Sequence, residues 1–262
     1  KIVPLSERLL RNRGLMRANA AGRRHSPIAV EFPQARWSLL MTLGAGGCWV
    51  FHNGGAGGTL TEIVRRHDVG TVTVPPRRAE LLLHEAPRSG GWPAGAGLHN
   101  AGAPAPGALR QRIQAELTRD LHVVYGATEC SIVSVALPED HARHPDGVGR
   151  PWGCSMMVVD DHGRALPPGE PGFLRVLTAA RAEGYLDDPE TSAKAFLPGG
   201  WYHTGDVATL SPDGHVIFGG RADDMMIIAG VNVYPAEIER TIEQLPAVNE
   251  VAVTAVYSDL GH

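Results

Sequence analysis

Cysteine is scarce in this sequence: Cys48, Cys130 and Cys154 are the only three among 262 residues. An isolated, odd-numbered set with no C-x-x-C pair gives no support to a disulfide scaffold or a cysteine-built zinc site. It suits a reducing cytoplasm. Twelve histidines are scattered along the chain, but no H-x-x-x-H pair presents two imidazoles on one helix face. No apolar run approaches the ~18–20 residues that span a bilayer, so no membrane span is expected. The opening residues carry no signal-peptide pattern. No long run of one charge occurs, and 24 Lys and Arg against 28 Asp and Glu leave a net charge of −4. That balance gives no support to nucleic-acid or anionic-membrane binding. No strand leads into G-x-G-x-x-G, which argues against a nicotinamide-binding domain. The glycine-rich run His52–Gly58 is not followed by the Lys-Ser/Thr of a Walker loop. It reads either as a phosphate cradle or as a plain strand-to-helix connection.

The residues that are present are 43% hydrophobic, enough to build a sizeable core. Ser6 reads as a helix N-cap with Leu9, Leu10 and Met16 behind it. Ile28–Phe32 reads as a strand, Trp37–Leu43 as a helix, and Cys48–Phe51 as a strand. Thr59 is placed to cap a helix carrying Leu60, Ile63 and Val64. Thr71–Val74 is a buried strand stopped by Pro75 and Pro76, and Arg77–Glu85 is helical. A strand beginning at Leu98, a helix with Leu109, Ile113 and Leu117 on one face, and a strand Leu121–Tyr125 follow. This alternation predicts an α/β layer, a parallel sheet covered by helices, over residues 1–126. After Gly126 the strand candidates are Met156–Val159, Leu174–Leu177, Val207–Leu210 and Val216–Phe218, with Ser211–Gly214 as a hairpin turn. They predict a mostly antiparallel β region over 127–221. Beyond Arg221, a small hairpin around Gly230, a helix opening at Pro235 and a strand Val248–Val256 read as the start of a small α+β domain, 222–262.

In an open parallel sheet, ligands sit beyond the carboxyl ends of the strands. Two such ends stand out. One continues Ala101-Gly-Ala-Pro104, and the other, at Tyr125, continues Gly126-Ala-Thr-Glu129. Gly102 and Gly126 permit close backbone approach. Tyr125 can stack on a base, Thr128 offers a hydroxyl, and Glu129 is a hard oxygen ligand suited to magnesium. A further group is Asp206 of Tyr202-His-Thr-Gly-Asp206 with Arg221. Its carboxylate can accept ribose hydroxyls; the alternative is a salt bridge across the base of the hairpin.

In order, Y-G-A-T-E (125–129), G-Y-L-D-D-P-E-T (184–191), W-Y-H-T-G-D (201–206) and G-R-A-D-D-M-M-I-I-A-G-V-N-V-Y-P-A-E-I-E (220–239) closely resemble the adenylate-forming superfamily. Acyl- and aryl-CoA synthetases, firefly-type luciferases and peptide-synthetase adenylation domains are its members. Asn100–Pro104 is similar to the family's adenine loop. The resemblance implies an acid–thiol ligase that forms an acyl-adenylate from ATP and then a thioester. By position it implies Gly102, Ala103 and Pro104 along the adenine, and Tyr125 stacked on it beside Gly126. Thr128 would lie on phosphate, Glu129 on Mg2+, and Asp206 and Arg221 at the ribose. Asp223 would be the hinge, and Ala229 and Gly230 would line the pantetheine tunnel. Residues 1–221 would belong to a large adenylation domain and 222–262 to a truncated small domain. Lys1 would end a phosphate loop that otherwise lies upstream, and the family's catalytic lysine lies downstream, so the chain reads as part of a longer enzyme.

Amino-acid-activating relatives carry an Asp in the stretch matching Glu31–Trp37. None is present here, which turns the expected substrate toward a small non-amino carboxylic acid. Arg36 or Trp37 would take the place of the pocket histidine of many CoA ligases; the alternative for Trp37 is a core anchor. CoA is the expected acceptor. The alternatives are the phosphopantetheine of an acyl or peptidyl carrier protein, or a non-catalytic nucleotide-binding remnant.

Overall fold

The computed structural model describes all residues except 16–21, 53–57, 90, 229–230, 243–244, 246, 249–250, 255 and 257–262. Helix α1 (Glu7–Leu15) precedes strand β1 (Arg23–His25), α2 (Pro33–Gly44), β2 (Cys48–Trp49), α3 (Leu60–Arg66), β3 (Thr71–Val74), α4 (Pro76–Ser89), β4 (Gly97–Ala101) and α5 (Gly107–Arg112). Strands β5 (Leu121–Ala127), β6 (Ser131–Ala136) and β7 (Arg150–Pro151) complete one sheet of order β2-β1-β3-β4-β5-β6-β7. Its first five strands run parallel and its last two antiparallel.

A second, wholly antiparallel sheet has the order β11-β10-β9-β8. It is built from β8 (Ser155–Val159), β9 (Pro171–Leu177), β10 (Trp201–Leu210) and β11 (Val216–Arg221), with α6 (Pro189–Ala195) between β9 and β10. The hairpin β12 (Met226–Ile228) and β13 (Val231–Val233) leads into α7 (Pro235–Ile242). The predicted α/β sheet followed by an antiparallel β region is therefore the observed class.

Local chemistry explains the helix starts. Ser6 Oγ accepts from the Leu9 backbone N–H at 3.2 Å. Thr59 and Glu62 form a reciprocal capping box: Thr59 N–H donates to Glu62 Oε2 at 2.6 Å, and Glu62 N–H donates to Thr59 Oγ1 at 3.3 Å. Such a cap stabilises a short helix by about 1 kcal/mol. Pro76 opens α4 where a missing N–H costs nothing.

Two cores result. Val64, Val72, Leu82, Leu98, Ile113 and Leu121 pack between α3, α4, α5 and the parallel strands. Val123, Val133, Val158, Leu174, Val176 and Val216 pack the end of the first sheet onto the second. Strand β5 contributes to both, with Leu121 in one and Val123 in the other, so it is the seam between the layers.

Several expectations are corrected. Ile28–Phe32 is not a strand; Pro27 and Pro33 bound it, and Phe32 instead serves as the N-cap position of α2. The strand of this region is the polar Arg23–His25. Strand β6 and helix α6 are present without having been expected from the pattern. Among its described residues, Val248–Val256 forms no strand. The turn of the last hairpin, with Ala229 and Gly230, lies outside the described residues, as does most of the His52–Gly58 loop.

Candidate functional site

The carboxyl end of β5 turns sharply into β6, and this turn holds Thr128 and Glu129. Its tightness has a sequence cause. A Cβ on Gly126 would sit 2.2 Å from Ser131 O, so only glycine lets the two backbones approach there. Ser131 itself takes φ 64°, and the β5–β6 ladder bulges between Tyr125 and Gly126. A bulge breaks regular pairing and re-aims side chains.

Strand β10 behaves the same way. Its pairing with β9 is interrupted between His203 and Val207, and Gly205 adopts φ 76°. The irregularity is braced by Thr204, whose hydroxyl donates to Leu174 O at 3.0 Å and accepts from Asp206 N–H at 3.0 Å. Asp206 is thereby aimed at β5, with 6% of its surface exposed.

There the two sheets are joined by side chains. The Tyr125 hydroxyl donates a short hydrogen bond to Asp206 Oδ2. Arg221 Nη1 lies 3.1 Å from Asp206 Oδ1, in the register that pairs the two residues across the hairpin base. The same guanidinium grips Asp223 with both arms, Nε to Oδ1 at 2.9 Å and Nη2 to Oδ2 at 3.2 Å. The salt bridge expected as the alternative for Asp206 and Arg221 is thus present.

Burial pushes the Asp206 carboxyl above its ordinary range, against the opposing pull of Tyr125 and Arg221. Burial, and then the charge of Asp206, push the Tyr125 phenol far up. Asp223, at the surface, is held below the usual carboxylate range by Arg221.

Glu129 is oriented by a second tyrosine. Tyr185 Oη donates to Glu129 Oε1 at 2.9 Å, and burial, with this bond, raises the Tyr185 phenol to about 12. The backbone of the turn is held from behind by Arg13 of α1. Its Nη2 donates to Thr128 O at 2.8 Å and Glu129 O at 3.2 Å, and its Nε to Ala180 O at 2.9 Å. Only 4% of Arg13 is exposed. Three carbonyl oxygens satisfy a charge that would be costly to bury unpaired. Sequence reasoning assigns neither residue to the site. Tyr185 sits inside the G-Y-L-D-D-P-E-T stretch, a signal that could have found it. Arg13 is one of three arginines on α1, and no sequence signal sets it apart.

At the end of β4, Gly102 takes φ 94°, and a Cβ there would lie 3.4 Å from Gln34 Oε1 of α2. Pro104 lines a cavity of about 150 Å3 shared with Phe218 and Ala236. Phe218 in turn lies 6.0 Å, centroid to centroid, from Tyr125. Tyr125, Asp206, Arg221 and Asp223 are therefore in direct contact, and Pro104 is linked to them through Phe218. Thr128 is exposed at the turn. Trp37 is a buried anchor: its Nε1 donates to Ser131 Oγ at 3.2 Å, and Arg13 lies over its ring. Arg36 is exposed and caps the backbone oxygens of Val30 and Glu31.

With Tyr185 on Oε1, the Glu129 carboxylate keeps Oε2 to offer, which suits a single protein ligand to magnesium. Phosphate and water would complete the shell.

Comparison with known proteins places these features. A fatty acid–[acyl-carrier-protein] ligase of Streptomyces coeruleorubidus is 32% identical over 83% of this chain and 43% of its own length. A feruloyl-CoA synthase of an Amycolatopsis species is 33% identical over 83% of this chain and 44% of its own. The chain spans less than half the length of these relatives. Among solved structures, an amide bond synthetase of Marinactinospora thermotolerans matches 99% of this chain and 54% of its own, with a TM-score of 0.88 and 27% identity. O-succinylbenzoate CoA synthetase of Bacillus subtilis shares the fold over 98% of this chain and 54% of its own, at a TM-score of 0.88 and 22% identity. The family model for AMP-binding enzymes matches residues 23–186, well over half of the sequence. The two bulged strands, the glycine-tight turn and the Tyr–Asp–Arg contact between the sheets thus lie in a chain that belongs to the AMP-binding enzyme family.

Proposed function

We propose that the protein containing this chain activates a carboxylic acid with ATP, releasing pyrophosphate and forming an acyl-adenylate, and then transfers the acyl group to the thiol of CoA. The observation that carries this reading is the convergence of Tyr125, Asp206 and Arg221 where the two sheets meet, beside the Thr128–Glu129 turn. Asp206 takes the ribose hydroxyls, with Arg221 beside it. Gly102, Ala103 and Pro104 border the adenine, Tyr125 and Gly126 lie along it, and Thr128 reaches a phosphate oxygen. Glu129 holds Mg2+, which supplies charge neutralisation at the phosphates.

The chain's own contribution is positional. Both reactants are anions, so the barrier falls when donors and cations are fixed before reaction. Arg13 and Tyr185 are the groups that fix the turn. In this reading residues 1–221 are part of a large domain and 222–262 begin a small one. Asp223 is the hinge, and Ala229 and Gly230 line the thiol's approach. The Arg221–Asp223 clamp would then open or reform as the small domain turns.

The relatives divide between carrier-protein and CoA acceptors by their names, and both acceptors offer the same phosphopantetheine thiol. The test is ATP–pyrophosphate exchange by the full-length protein across aliphatic, aryl and amino acids. Thioester formation with CoA is then measured against holo-carrier protein. Exchange with an aliphatic or aryl acid supports the reading; no exchange with any acid overturns it. Thioester formed only on a carrier overturns the choice of CoA.

A further inference from the structure

At the far end of the β10–β11 hairpin from Asp206 lies a second cluster. Between the Asp206–Arg221 pair and the turn, β10 runs through Val207, Ala208, Thr209 and Leu210. This separates the two places by roughly 15 Å along the strand. In the turn, Asp213 Oδ2 lies 2.9 Å from His144 Nε2 and 3.1 Å from His215 Nδ1. His144 comes from the segment between β6 and β7. The two imidazoles stack with centroids 3.9 Å apart and planes 23° apart. On the other side of the His215 ring, Nε2 lies 3.0 Å from Asp140 Oδ1.

His215 is 2% exposed. Its Nδ1 is hydrogen-bonded to Asp213, and its buried Nε2, although 3.0 Å from Asp140 Oδ1, has no aligned hydrogen-bond partner among the described residues.

We infer that His144 Nε2, His215 Nδ1 and Asp213 Oδ2 form a binding site for a divalent transition metal of the zinc class. Their three donor atoms lie within 4.8 Å of one another. Two imidazoles and one carboxylate are a nitrogen-rich set that suits zinc, cobalt or nickel better than magnesium or calcium. The outer contacts agree with this. Asp140 Oδ1 lies 3.0 Å from the distal nitrogen of His215 without an aligned hydrogen bond; a small turn of that carboxylate would complete the carboxylate–histidine–metal arrangement that fixes the tautomer of a ligating histidine. The Ser211 hydroxyl donates to Asp213 Oδ1 at 2.5 Å, leaving Oδ2 for the metal. Arg150 Nη2 lies 3.8 Å from the same Oδ2, but its side chain is 60% exposed and can swing into solvent as the ion enters. The bound metal would tie the β6–β7 segment to the hairpin that carries Asp206 and Arg221. The site shares no residue with the nucleotide reading and does not depend on it.

The test is metal binding by the full-length protein, in a Cys48→Ser background because that thiol is exposed. Cobalt(II) is followed by visible absorption and zinc by calorimetry. One cobalt per chain with a ligand-field spectrum, displaced by zinc but not by excess magnesium, is the expected result. His144→Ala should weaken zinc at least tenfold. Asp140→Asn, which acts through His215, should weaken it about 10–100-fold with one-to-one stoichiometry kept. Zinc should raise the melting temperature of the parent but not that of His144→Ala. Absence of stoichiometric cobalt binding by the parent overturns the proposal, whatever the variants do. Unchanged zinc affinity in a folded His144→Ala also overturns it.

Discussion

The parallel and antiparallel sheets prepare their functional groups in different ways. The parallel sheet offers groups at strand ends, on backbone that glycine allows to turn: Gly102 after β4 and Gly126 in β5. The antiparallel sheet offers them from within its strands, at a bulge braced by Thr204 and at the paired position Arg221. One mode relies on backbone freedom, the other on side-chain bonding that overrides a regular ladder. The site forms where the two modes meet, and its failures should differ accordingly.

The largest effect is expected on the antiparallel side. Asp206→Ala removes the acceptor of both Tyr125 and Arg221. If Asp206 holds ribose, the apparent affinity for ATP should fall on the order of tenfold or more, the worth of a charged hydrogen bond. Steady-state kinetics of pyrophosphate exchange measure this, and an unchanged ATP dependence in a folded variant refutes the role. Next is Gly126→Ala on the parallel side. Its Cβ would collide with Ser131 O, and relief requires the β5–β6 turn to shift at about 1–3 kcal/mol. Denaturant unfolding should show that loss; if Glu129 holds Mg2+, the Mg2+ dependence of pyrophosphate exchange should weaken as well. Stability equal to the parent's would mean the turn is looser than described.

The smallest effect concerns pH. His25 in β1 is depressed first by burial and then by His52 and Arg78, against the Val50 carbonyl that favours its charged form. A histidine with a lowered folded pKa binds its proton more readily when unfolded. Its stabilising contribution is therefore complete above the unfolded value near 6.5 and is lost as pH falls through that value toward the folded one. His25→Gln should flatten the slope of melting temperature between pH 7 and 5, and an unaltered slope would show that His25 is not the group responsible.

Legibility in the sequence also divides along the sheets. Thr71–Val74, Leu98 onward and Leu121–Tyr125 are readable because parallel strands covered by helices place buried apolar residues in short runs. Strand β1 is not, because Arg-Arg-His is held by its neighbours β2 and β3 rather than by apolar side chains. Helix α6 buries no residue, so it has no apolar period to detect. Its signals are the Asp188 cap, which accepts from Thr191 N–H at 3.0 Å, and Pro189 behind it. The Ile132, Val133 and Val135 run of β6 follows directly on the loop that holds Thr128 and Glu129, with no turn signal between them to mark a new strand. Of the candidate residues, those in direct contact, Tyr125, Asp206, Arg221 and Asp223, all come from ordered peptide motifs. The supports Arg13 and Tyr185 act across 116 and 56 positions of chain, a separation that local pattern does not span.

The contacts of Asp206 have a consequence for how any ligand arrives. One of its oxygens is engaged by a phenol and the other by a guanidinium. Each carboxylate oxygen can accept a second bond, so a diol arriving here joins acceptors already held in place rather than loose ones. The phenol and the guanidinium fix the plane of the carboxylate before anything binds. Little rotational freedom is then left for a ligand to remove, and removing the phenol with Tyr125→Phe would hand that freedom back.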